Sequence, residues 1–86
     1  MEKVEELKRL GYDNVFVWDA EAGEEDPDHS HPYDTRLVIL DGEIEIKMDG
    51  ESRILKSGEE IDIPREKVHY GKAGPNGCKY IVAEKH

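Results

Sequence analysis

From residue 14 onward, apolar side chains fall on every second position in short runs broken by glycine, proline and aspartate. A period of two is what a strand with one buried face requires. Residues 43–48 (E-I-E-I-K-M) alternate without a fault and place Ile44, Ile46 and Met48 on one side. Residues 35–40 set Thr35, Leu37 and Ile39 against Arg36, Val38 and Leu40. Asn14–Ala20 (N-V-F-V-W-D-A) is apolar on both faces, Phe16 and Trp18 opposing Val15 and Val17. Burial is therefore expected on both, by the core and by either a helix or a second subunit. Asp41-Gly42, Asp49-Gly50 and Ser57-Gly58 read as tight turns. Residues 52–55, 60–63 (ended by Pro64) and 67–70 read as further extended pieces, and 78–83 as the closing strand. Gly71, Gly74, Pro75, Asn76 and Gly77 mark a loop, and the acidic stretch 21–28 a solvated connection.

Residues 2–10 break the alternation. Val4, Leu7 and Leu10 recur at helical spacing, with Glu2, Glu5 and Glu6 early and Lys8 and Arg9 late, matching the helix dipole. Gly11 follows as the expected C-terminal cap. The predicted architecture is all-β: a short helix within 1–12, then about seven or eight short strands over 13–86 forming one barrel or sandwich.

Composition narrows the function classes. With 86 residues there is room for one domain, and a core of that size gains from a partner chain. The outward faces of residues 14–20 and 35–40 carry Val15, Val17, Val38 and Leu40, so a homodimer is expected. Twelve Lys and Arg against twenty-one Asp and Glu give a net charge of −9, which disfavours nucleic-acid backbones and anionic membrane surfaces as partners. Cys78 is the one cysteine, so no internal disulfide forms. No apolar run approaches the ~20 residues that span a bilayer, and the N-terminus is charged rather than signal-like; the cytoplasm is the expected compartment.

The chemistry concentrates in two stretches. His29 and His31 sit two apart, a spacing that on a strand points both rings the same way, about 7 Å apart. Gly23 precedes His29 by five intervening residues, and Gly42 closes the segment. In the second stretch five residues separate Gly58 from Pro64, and His69 follows. These spacings resemble the paired motifs of the cupin superfamily, G-x5-H-x-H-x3,4-E-x6-G and G-x5-P-x-G-x2-H-x3-N. The resemblance covers residues 23–73 and implies a jelly-roll β-barrel in which His29, His31 and His69 hold a metal. The chain departs from the family at three places: Thr35 takes the carboxylate ligand's position, Glu66 the second motif's glycine, and Ala73 its asparagine. The set that survives resembles the three-histidine cupins. Asp34, one residue from Thr35, reaches the centre only if the strand bulges there; on a regular strand it faces away, toward a salt bridge or a loop hydrogen bond.

Three neutral imidazoles suit a divalent transition metal (Zn, Fe, Ni, Cu or Mn) better than Mg or Ca, and they leave positions open for water or a ligand. Tyr33 falls near the ligand positions, and Tyr70 is expected on the opposite face from His69. Cys78, Tyr80 and Val82 share a face; if Tyr80 is inward, so is the thiol. Arg36 holds a substrate carboxylate only if it reaches the barrel mouth, and strict alternation turns it outward. No role is assigned to His86. The resemblance implies a small-molecule cupin of dioxygenase, isomerase or lyase type, or else a non-catalytic ligand- or metal-binding module; fold alone does not choose.

Overall fold

The computed structural model describes residues 1–86. Helix α1 (Glu2–Arg9) is followed by six strands, β1 (Asn14–Ala20), β2 (Glu25–His29), β3 (Asp34–Met48), β4 (Glu51–Lys56), β5 (Glu60–Ile63) and β6 (His69–Lys85). Two long strands carry the architecture. β3 and β6 pair antiparallel along their whole length, from Asp34 opposite Lys85 to Met48 opposite His69. Each changes its other neighbour partway. The first part of β3 pairs with β5 and the rest with β4, while β6 pairs first with β2 and then with β1. Strands that exchange neighbours while bending are how a sheet curls into a jelly-roll barrel.

The bend corrects two expectations. Asp41-Gly42 is not a hairpin turn, because β3 runs straight through it with register shifts at Ile39/Asp41 and Gly42/Ile44. Residues 71–77 are not a loop but part of β6. A glycine at positive φ serves a turn and a strand bulge equally well, and the pairing partner lies too far along the chain for local sequence to distinguish them. Gly42 (φ +77) and Gly77 (φ +81) meet at this corner, where a Cβ on Gly42 would run into the Gly77 carbonyl.

Two apolar clusters lie on opposite faces of the sheet. Inside the barrel are Leu37, Ile39, Ile44, Ile46, Leu55, Ile61, Ile63 and their neighbours, with Cys78 and Tyr80. Outside, α1 seats Leu7 on Tyr12, Val38, Ile81 and Ala83, with Val4, Val15 and Leu40 at the margin. This explains why Leu37, Val38 and Ile39 are buried in succession: one face is core, the other lies under the helix. Leu7 is wholly buried, worth about 1.5–3 kcal/mol. The helix thus covers Val15, Val38 and Leu40 within the chain itself, and of the four residues that pointed to a second subunit only Val17 stays exposed.

Three further readings are corrected. Leu10 is exposed because it is the helix C-cap, after which Gly11 (φ +100) turns the chain away. Phe16 and Trp18 are exposed rather than buried: β1 is the sheet's edge, paired only with β6, and the Trp18 indole donates to the Glu24 carboxylate at 3.1 Å. Within the acidic stretch, residues 25–29 form β2 rather than a loop, with Glu25 opposite Lys72 and His29 opposite His69. No helix is long and apolar enough to cross a membrane.

Candidate metal centre

β2 and β6 bring two histidines together directly, since His29 ends one strand where His69 begins the other and the two are register partners. His31 lies beyond the end of β2, so the two-residue spacing does not work through strand alternation as expected. The segment after β2 turns back instead, and the Glu66 N–H donates to the His31 carbonyl at 2.7 Å, tying that segment to the β5–β6 connection. Glu66 has φ +65, the left-handed conformation that favours glycine at this position. The three rings face one another, with centroids 4.2 Å (His29–His69), 4.7 Å (His29–His31) and 5.4 Å (His31–His69) apart. One ligating nitrogen from each lies within 4.8 Å of the other two.

The outer nitrogens are occupied. His29 Nδ1 lies 2.7 Å from the Pro27 carbonyl and His69 Nδ1 3.0 Å from the Lys67 carbonyl, in each case the oxygen two residues earlier. A carbonyl only accepts, so each Nδ1 carries the proton and each Nε2 keeps its lone pair. His31 Nδ1 lies 3.2 Å from the Tyr33 hydroxyl, and the two rings stack at 4.9 Å. An imidazole anchored through one nitrogen to an oxygen is a common setting for a metal-ligating histidine. The donor set and its anchoring both fit a transition metal.

Around the rings lies a cavity of about 120 Å3. Leu37, Ile44, Ile46, Ile63 and Val82 form its apolar wall; Asp26, Tyr33, Thr35, Tyr80 and Glu84 supply its polar groups. Thr35 faces inward as alternation predicts, and its hydroxyl is buried without a hydrogen-bond partner. Asp34 does not join. Its carboxylate accepts the Arg65 N–H at 2.9 Å and pairs with that guanidinium outside the barrel, which holds its pKa below the usual carboxylate range. Arg36 is also outside, bidentate on Asp62 at 2.7 and 3.1 Å and lying over the Tyr12 ring. Tyr70 points outward under Lys47. Cys78 is buried in the core away from the cavity, and burial pushes its thiol up to about 11, as an inert core cysteine requires. Burial likewise raises the Tyr80 phenol, so that side chain enters the cavity as a hydrogen-bond donor. Two cavity residues were not singled out from the sequence. Glu84 continues the inward row of Cys78, Tyr80 and Val82, so alternation held the signal. Asp26 had none, because β2 is polar throughout.

Burial is the largest cause holding His31 and His69 below the ordinary imidazole value of 6.5, with the neighbouring rings adding to it; the Lys67 carbonyl partly offsets the shift at His69. A lowered imidazole pKa means that the folded chain favours the neutral, ligating form. Its stability contribution is complete above 6.5 and declines as pH falls below that value toward the depressed ones. Metal binding at neutral pH is accordingly expected to release few protons from His31 and His69, and apparent affinity to hold to below 6.5 and weaken only as pH falls through the depressed values. Titration calorimetry in two buffers of different ionisation enthalpy checks this; a full proton released from each of His31 and His69 at neutral pH would contradict it.

Comparison with known proteins agrees with the geometry. The family model described as a cupin domain matches residues 16–83. No curated protein sequence matches the chain. Among solved structures, a conserved protein of unknown function from Streptococcus pyogenes is 29% identical with a TM-score of 0.74, over 84% of this chain and 63% of that one. The DMSP lyase DddQ from Ruegeria pomeroyi is 27% identical (TM-score 0.77), over 84% of this chain but only 37% of the lyase. KdgF from Halomonas is 20% identical (TM-score 0.73), over 84% and 68%; at that identity the likeness concerns the fold. With the match running through β1 to β6 and both histidine stretches inside it, the chain belongs to the cupin domain family.

Proposed function

We propose that this cupin holds one divalent transition metal on His29, His31 and His69 and takes a small oxygen-bearing molecule into the cavity beside it. The observation that carries the reading is the convergence of three nitrogens within 4.8 Å, two of them on rings whose other nitrogen is committed to a backbone carbonyl. Nitrogen donors of intermediate softness select Zn, Fe, Ni, Cu or Mn over Mg and Ca. Three protein ligands leave the ion partly open, as a site that engages a ligand requires. When bound, such an ion supplies Lewis acidity toward a ligand oxygen.

The remaining chemistry belongs to the chain. Tyr80, kept protonated by burial, offers an O–H to a ligand oxygen, and Thr35 offers another that has no partner within the protein. The apolar wall of Leu37, Ile44, Ile46, Ile63 and Val82 limits water around the reacting end. At about 120 Å3 the cavity holds roughly four water volumes, well below the ~300 Å3 at which drug-sized sites begin, so the ligand is small or enters by one end. Likeness to a DMSP lyase supports a lyase-type reaction on a small molecule as the enzymatic form of this reading.

Elemental analysis of untagged protein, purified without chelator, tests the proposal: one transition ion per chain is expected, and sub-stoichiometric metal in every preparation would overturn it. A panel of small carboxylates, diketones and uronates then separates enzyme from binding module. Turnover identifies the first, and thermal shifts without turnover the second.

A further inference from the structure

We propose that Glu84 is the carboxylate of the metal centre, supplying from β6 the negative charge that three neutral imidazoles lack. The inference rests on the metal reading above. A divalent ion on neutral ligands keeps its full charge, which is costly in a cavity walled by leucine, isoleucine and valine unless an anion stands near. Asp34 is held outside by Arg65, and Asp26, which also lines the cavity and faces His31 and His69, is solvent-exposed. Glu84 lines the same cavity with its side chain only 13% exposed.

Its surroundings look like a holder for a charged group whose counter-ion is not part of the chain. Asn14, Glu84 and Thr35 form one row across β1, β6 and β3, as register partners. Asn14 Nδ2 donates to Glu84 Oε1 at 2.8 Å and fixes the carboxylate from one side. On the other side stands the Thr35 hydroxyl, buried and without a partner. Exposed His86 approaches Glu84 with its Nε2 3.9 Å away, while its Nδ1 is committed to Asp13 at 2.8 Å. The donors to Glu84, Asn14 and the Tyr33 hydroxyl, are both neutral, so this mostly buried carboxylate is under-compensated within the chain, and the cavity it lines is where the three histidine nitrogens converge.

Co2+ is the probe, its affinity measured by competition with a chelator on the full chain. Glu84→Gln is expected to weaken Co2+ binding by about 10–100-fold, the range seen when groups supporting a metal site are lost. Asn14→Ala removes the same hydrogen bond but keeps the charge, and should weaken Co2+ binding by less than Glu84→Gln does. Melting without metal identifies any variant that fails to fold, in which case Asn14→Ala and Glu84→Asp carry the comparison, the aspartate retaining most of the affinity lost with glutamine. Glu84→Gln binding as tightly as wild type, or Asn14→Ala weakening binding as much as Glu84→Gln does, overturns the proposal. His69→Ala separates the two readings. Equal Co2+ binding by it and wild type removes the histidine centre and this assignment with it; binding lost in His69→Ala but kept in Glu84→Gln removes the Glu84 assignment alone.

Discussion

Gly42→Ala is expected to lower the melting temperature by at least about 12 °C, from a loss of ~3 kcal/mol or more at ~4–8 °C per kcal/mol in a domain this size. Two costs combine. A left-handed φ of +77 costs an alanine roughly 1–2 kcal/mol. The new methyl would also overlap the Gly77 carbonyl and come within 3.1 Å of Cys78 Cα, both backbone atoms of the strand paired with β3. Neither yields without breaking the corner at which both long strands change neighbours, so the clash is paid in lost pairing. Gly50→Ala is the control, with φ +76 and open space around the site. It should show the conformational cost alone, about 1–2 kcal/mol. Thermal melts followed by circular dichroism compare the two, and equal losses would mean that the corner contact does not matter.

The same corner marks the limit of what the sequence made legible. Asp41-Gly42 carries a correct local signal, a position wanting φ above zero, but a hairpin and a bulge demand the same residue. Only the pairing of Gly42 with Cys78 separates them, and that contact spans nearly half the chain. Residues 71–77 mislead for the same reason: Gly71 and Ala73 sit in a ladder with Ile46 and Ile44 that a run of glycines does not announce. Where one face meets a uniform core, alternation was sufficient. It placed Thr35, Leu37, Ile39, Ile44 and Ile46 inward and Arg36 outward. It failed on Phe16 and Trp18, because apolar residues on an edge strand do not reveal that nothing covers them.

The candidate site was legible differently. His29, His31 and His69 were chosen by spacing, and they meet, although not by the route expected. His31 reaches the focus from a non-helical, non-strand segment secured by Glu66, a residue whose backbone conformation has no signature in a glutamate. The carboxylates divide by environment. Asp34 was the nearer candidate in sequence, yet Arg65, thirty-one positions away, claims it. Glu84 continues the inward row of Cys78, Tyr80 and Val82, but its place beside Thr35 appears only once β6 pairs with β3.

His69→Ala is expected to reduce transition-metal affinity by more than about 100-fold, since losing a ligand costs at least as much as losing a group that supports one. The loss should be visible as stability. Metal at a hundred times its dissociation constant raises wild-type unfolding free energy by about 2.7 kcal/mol, and that increment should vanish in the variant. The metal-free protein should suffer far less, about 1 kcal/mol, because the deletion removes the bond to the Lys67 carbonyl but also relieves the chain of a desolvated imidazole. Burial of His69 at 7% exposure makes a control necessary, and the fourth histidine provides one. His86 is held by Asp13 and contributes no nitrogen to the cluster, so His86→Ala should keep the wild-type metal-dependent shift. Melting curves of the three proteins with and without Zn2+ decide the matter. A metal-dependent shift that survives His69→Ala would place the ion outside the barrel, on surface carboxylates that a chain with twenty-one acidic residues has in abundance.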